Sequence, residues 1–237
     1  MSEWELPSTV EKVSTERVGG GSYLWDSGVH KATIKMVYMD QAKSGAVSFN
    51  IILVNDEGKE LREAFWVRSG DSKGNKTFYE KDGKTYPLPG YSTADSMCIA
   101  ATGKSFADNM ANTEKKMVNI YNAEAKKEVP TERPVVMDLL NKSVTVAVHR
   151  VIQDKNIKNA AGEYVPSGET RMVNECKFFG NAEGKTAEEI AKGAEASKFA
   201  AWAEKNAGKD VDRSSGASTA TPSASPKPAQ SAGSMFG

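Results

Sequence analysis

Net charge, histidine, cysteine and long apolar runs are what this sequence lacks. Lysine plus arginine and aspartate plus glutamate both number 31, which excludes a surface that attracts phosphate everywhere and leaves room only for a local basic footprint. Two cysteines, Cys98 and Cys176, stand far apart with no CxxC spacing. They exclude a disulfide framework, fit a reducing compartment, and read as two small buried hydrophobes. The two histidines, His30 and His149, cannot form a zinc cluster by spacing. No apolar run reaches the roughly 20 residues of a membrane helix, and the opening MSEWELPSTVEK is too polar and acidic for a secretory signal. A soluble cytoplasmic protein with no membrane partner is expected.

Catalytic signatures are missing as well. GxxxxGK[ST], GxSxG and HExxH do not occur, and the run Gly19-Gly20-Gly21-Ser22 lacks the lysine of a phosphate loop. Asp26, Asp40 and Asp138 sit where turn residues sit, so a metal-dependent nuclease has no specific support. The expectation is a non-enzyme with no cofactor and no metal.

What is present is β pattern. KATIKMVYM alternates, with Ala32, Ile34, Met36 and Tyr38 on one face and Lys31, Thr33, Lys35 and Val37 on the other, the period of a half-buried strand. AVSFNIILV and ELREAFWVR follow as second and third strands, separated by the turn signal Asn55-Asp56-Glu57-Gly58. Ser92, Thr93 and Asp95 offer caps for a helix over SMCIAATGKSFADNM, which Gly103 interrupts. Met117–Tyr121 reads as a strand, Pro130 and Pro134 as bracketing a connection, and SVTVAVHRVIQ as a well-alternating strand. DKNIKNAAGEYVPSGETR reads as a long hairpin loop leading to a closing strand at Met172–Phe179. Five or more strands with a helix after the third is the plan of an oligonucleotide-binding barrel. Thr186 and Glu189 open one further helix ending near Gly208, and the stretch from about Asp210 is Ser, Ala, Pro and Gly with nothing bulky before Met235-Phe236.

The third strand carries the sharpest local signal. Alternation puts Arg62, Ala64, Trp66 and Arg68 on one face and Leu61, Glu63, Phe65 and Val67 on the other. The loop SGDSKGNKTFYEKDGKTYPLPGY then interleaves Lys73, Lys76 and Lys84 with Phe78, Tyr79, Tyr86 and Tyr91. Exposed rings stack bases at about 1–3 kcal/mol each while neighbouring cations follow the backbone. Trp66 and these rings with Lys31, Lys35, Arg62, Arg68 and the loop lysines are therefore the expected nucleic-acid-binding residues. A plain reading stands beside it: Trp66, Tyr86 and Tyr91 could plug a barrel, and Asp71, Glu80 and Asp82 dilute the charge.

In the order of these features the chain resembles the single-stranded-DNA-binding proteins of tailed bacteriophages. The likeness rests on WDSGVHKATIKMVYMDQAKSGAVSFNIILVNDEGKE, WVRSGDSKGNKTFYEKDGKTYPLPGY and TRMVNECKFF, followed by a helix and a low-complexity tail, and it runs from about Ser22 to Phe179. The resemblance implies an oligonucleotide-binding barrel that coats single-stranded DNA during phage replication and recombination in the host cytoplasm. It also implies recruitment of replication or recombination proteins through the tail, with Met235, Phe236 and Gly237 as the docking tip. One departure is plain, because nothing after Asp212 is acidic. The expected organisation is an N-terminal arm over 1–21, a β-barrel domain with insertions over 22–182, a C-terminal helix over 183–208 and a disordered tail over 209–237. The alternative is a non-catalytic interaction or structural β-domain that binds protein through a sheet edge.

Overall fold

The computed structural model describes residues 24–122, 124–160 and 162–215. The expected arm over 1–21 and the Met235–Gly237 tip lie outside the described residues. The fold is mainly antiparallel β with few short helices. In chain order it runs β1 (Gly28–Gln41), β2 (Val47–Asn55), β3 (Glu60–Arg68), β4 (Phe78–Lys81), β5 (Lys84–Pro87), α1 (Pro89–Thr102) and α2 (Phe106–Met110). Then follow β6 (Thr113–Asn122), β7 (Lys127–Val136), β8 (Ser143–Lys158), β9 (Tyr164–Gly180), α3 (Ala187–Lys192), α4 (Lys198–Asn206) and β10 (Val211–Asp212).

The main sheet is laid out β3–β2–β1–β8, with β9 on the other side of β8 and β10 parallel to β8 where β1 has ended. Among the described residues the ladder does not close, since β3 pairs there only with β2. β9 nevertheless lies beside β3 through side chains. Phe65 and Phe179 meet edge to face at 6.0 Å, and the Cys176 amide donates to Glu63 Oε2 at 2.6 Å. Farther along this seam a cleft of about 900 Å³ opens between Glu57–Arg62 and Met172–Asn174.

The inward faces of β1, β2, β3, β8 and β9 supply one core with α1, including Ile34, Val37, Phe49, Leu53, Phe65, Met97, Val146 and Phe179. Both thiols belong to it, free and buried. Burial pushes Cys98 up to about 12, and burial with the neighbouring Glu63 carboxyl raises Cys176 as well. These are packing groups that ionise too late to react near neutrality.

Three departures from the sequence pattern have physical causes. First, the register of β1 against β2 shifts between Ile34 and Met36. That bulge flips the phase, so Val37 is buried in the core and Met36 and Tyr38 turn to the outer face. Second, α1 starts at Pro89, three residues before the first expected cap, because proline at a first helical position loses no hydrogen bond. Asp95 instead accepts from the Phe106 amide at 2.7 Å, tying α1 to α2. Third, Pro130 and Pro134 lie inside β7, facing Asn119 and Lys115 of β6 across an unbroken ten-pair ladder. Their four-residue spacing puts both ring nitrogens on the same side of the strand, the side facing away from β6, where no donor is needed.

The single C-terminal helix expected over 183–208 is two helices, broken where Gly193 takes φ +60. Glu189 holds the break together: it closes a capping box with Thr186 and accepts from the Ser197 and Lys198 amides at 2.8 and 3.0 Å. Burial opposes its charge, but these backbone donors win and hold the carboxyl down at about 2. A depressed value contributes stability above the ordinary 4.5 and loses it as pH falls from there toward 2. Glu189→Gln is thus expected to lower Tm at pH 7 and to flatten the decline in Tm between those two pH values, followed by differential scanning fluorimetry. The docked chain also continues past 208. Asp210 pairs with Arg150 at 2.6 Å, Arg213 with Glu175 at 2.8 Å, and the Ser215 amide donates to Asp154 at 3.0 Å. Composition alone cannot show this, because the anchoring partners lie on β8 and β9.

Candidate nucleic-acid interface

β3 positions the site. Leu61, Phe65 and Val67 are buried while Arg62, Ala64 and Trp66 point outward, and Trp66 is 51% exposed. Its register runs across the sheet from Asp40 through Ser48 to Trp66, a row of about 10 Å at the usual cross-strand spacing. Behind it, α1 begins so close to β3 that a Cβ on Gly90 would fall 2.4 Å from the Trp66 carbonyl oxygen. Only glycine permits that approach, so the backbone under Trp66 is braced by the helix.

Trp66 borders a cleft of about 590 Å³ whose other walls include Ser44, Arg68, Gly70, Lys73 and Pro89. Arg68 is poorly bonded there. Its Nη2 makes one long contact to the Gly45 carbonyl at 3.5 Å, and its buried Nε has no partner among the described residues. A buried guanidinium donor left open next to an exposed indole is a place for an acceptor oxygen. The cleft wall is well anchored: the Asp71 amide donates to the Ser44 carbonyl at 2.8 Å, and a Cβ on Gly70 would lie 2.5 Å from that oxygen.

The expected aromatic loop is a hairpin rooted beside Arg68. The Ser69 amide donates to Lys76 O at 2.8 Å and the Leu88 amide to Thr77 O at 2.9 Å, closing its base. β4 and β5 then stand away from the domain with every residue exposed. Asp82 and Gly83 both take positive φ, 52 and 71, as a two-residue I′ turn requires. Tyr79 and Tyr86 stack on each other at 5.6 Å, Lys76 lies 5.3 Å from the Phe78 ring centre, and Lys84 faces Lys81 at the tip. Trp66, Arg68, Lys73, Lys76, Phe78, Tyr79, Lys84 and Tyr86 are thus carried by β3 and the loop that leaves it.

The remaining expected residues are placed otherwise. Tyr91 is withdrawn into packing, edge to face with Phe106 at 5.1 Å. Lys31 is exposed but pairs across to Thr145, nine positions from Asp40 and so about 30 Å away along the strand. Lys35, at the bulge, is ion-paired with Glu60. Arg62 does face outward, yet its guanidinium is engaged by Glu60 at 3.1 Å and Glu128 at 2.6 Å.

Glu128 belongs to an element whose role the sequence did not reveal. The β6–β7 arm pairs with β1 at Tyr38 and Val135 and is tied to the outer sheet face by Arg133–Asp40 at 2.8 Å and Arg62–Glu128. Its Val118, Ile120, Val129 and Thr131 are buried or half-buried, whereas Met117 and Tyr121 are exposed. Tyr38 lies amid these charges. Burial and then Asp40 push its hydroxyl upward, Arg62 and Arg133 oppose them, and Glu128 adds to the rise. The signal available in the sequence was the alternation Val129, Thr131, Arg133, Val135, obscured by the two prolines.

Among the described residues no group of histidine, cysteine and carboxylate side chains could hold a metal, and no helix is long and apolar enough to cross a membrane. No family model matches the sequence, and no curated protein matches it either. The functional reading therefore rests on the geometry and on the residues themselves.

Proposed function

We propose that this protein binds single-stranded DNA with little sequence preference, along the outer face of β3 and its hairpin, and that it does no chemistry on the strand. The observation that carries the reading is the exposed Trp66 ring sharing a cleft with the under-bonded Arg68. A base stacks on the first while a phosphate oxygen satisfies the second, and the stacked Tyr79–Tyr86 pair with Lys73, Lys76 and Lys84 extends the track. Strand order supports the oligonucleotide-binding barrel as the parent architecture. β1 lies between β2 and β8, α1 falls between β3 and β8, and β9 returns beside β3. The resemblance to phage single-strand binders adds the role: coating DNA during replication and recombination in the host cytoplasm and recruiting partner proteins through Met235, Phe236 and Gly237.

A second reading draws on the unladdered edge of β3, where a partner protein could add a strand along the seam cleft. One assay separates these readings. Fluorescein-labelled oligo-dT is titrated with the protein at several salt concentrations, with and without magnesium. Binding whose affinity falls with salt supports the strand-binding reading; no binding overturns it in favour of the protein-edge reading, and magnesium-dependent shortening of the oligonucleotide overturns it in favour of a nuclease.

A further inference from the structure

Two arginines on the outer sheet face already have carboxylate partners, and the quality of those pairings is uneven. Arg62 is held by Glu60 at 3.1 Å and by Glu128 at 2.6 Å, the Arg62 and Glu128 side chains being 49% and 44% exposed. A pair so open to water is weak, because screening and side-chain entropy consume most of its attraction. Arg133 Nε lies 2.8 Å from Asp40 Oδ1, yet its N–H is not aimed at that oxygen and finds no hydrogen-bond acceptor among the described residues. The rest of that guanidinium donates to the Glu132 carbonyl at 2.9 Å. Asp40 shares the cross-strand row with Ser48 and Trp66, while Arg62 lies on β3 two outward positions from Trp66. Both arginines therefore sit within one or two nucleotide lengths of the indole, at about 6.8 Å per outward-facing pair of strand residues.

We propose that Arg62 and Arg133 form a second phosphate-binding locus of the strand track, closed in the free protein by Glu128 and Asp40, which the phosphates of a bound strand displace while Glu60 keeps its hold on Arg62. This inference rests on the strand-binding reading above and deepens it by naming an internal competitor. The carboxylates act as placeholders: they keep the arginines oriented, and they yield to an oxyanion that makes better-directed, charge-assisted bonds. The β6–β7 arm, freed at Glu128, becomes the movable wall of the track. The exchange also accounts for a neutral protein gripping a polyanion, since cations that appear neutralised by ion pairing become available at the moment of binding.

The competitor leaves a signature in salt. Added salt weakens the strand's hold on the protein, but it also weakens the Arg62–Glu128 pair that opposes that hold. Removing the competitor should therefore raise affinity most at low salt. Glu128→Gln is expected to bind oligo-dT about 2- to 5-fold more tightly at low ionic strength, the worth of one exposed pair. The gain should vanish toward 1 M salt, which steepens the salt slope. Glu128→Ala should behave alike, with Tm unchanged for both. Glu132→Gln removes the same charge from the same arm but frees only Lys115, its partner at 3.3 Å, and should show no gain. Arg133→Gln should weaken binding and lower the slope by about 0.7, the contribution of one phosphate on a single strand. A parent protein that binds while Glu128→Gln shows no low-salt gain, or while Glu132→Gln gains equally, overturns the exchange alone. A parent protein that binds no oligonucleotide overturns the strand-binding reading, and this inference with it.

Discussion

Replacing Phe179 by alanine is expected to destabilise the fold by about 3–5 kcal/mol, the range for emptying an aromatic site in a core. Phe179 is 1% exposed and meets Phe65 edge to face at 6.0 Å. Its position makes the loss matter more than burial alone. No ladder joins β9 to β3, so the two strands are held by this ring pair and by the Cys176 amide on Glu63. Domains of 150–250 residues lose about 2–4 °C per kcal/mol, which places the shift in Tm at about 6–20 °C by calorimetry. A shift under 2 °C would show that the seam is held by something other than this packing.

The second large effect is on binding. Trp66→Ala should weaken oligo-dT by about 1–3 kcal/mol, the worth of one stacked base, or about 5- to 150-fold. Tm should hardly move, because half of the ring is in water already. Tyr91→Ala supplies the opposite pattern. That ring packs on Phe106 and the core, so its removal should lower Tm and leave affinity nearly intact. A Trp66→Ala protein that binds like the parent would remove the indole from the track and with it the reason for placing the track on β3.

Legibility in the sequence followed the reach of the interactions concerned. The third strand was readable because its inward and outward residues alternate, and the outward set Arg62, Ala64, Trp66 came directly from that period. The end of α1 was readable from Gly103, which takes φ 73 as its C-cap. The phase of β1 was not, since the bulge before Met36 answers to pairing with β2 and leaves no mark in residue type. Arg62 shows the same limit at the site. Its outward direction is local, whereas its partner Glu128 is 66 residues away on an arm whose prolines disguise a strand. Lys31 and Lys35 looked like neighbours of Trp66 in a list of cations, but strand direction carries Lys31 to the far end of β1 and Glu60 occupies Lys35.

The central claim is about place: a single strand lies on β3 and its hairpin. Ultraviolet cross-linking of the full chain to oligo-dT, with the attached peptides identified by mass spectrometry, tests it directly. Cross-links at Trp66 and at Tyr79 or Tyr86, reduced by added salt, are the predicted result. Cross-links confined to other exposed rings, such as Tyr121 on the arm or Tyr164 beside Lys158, would contradict it.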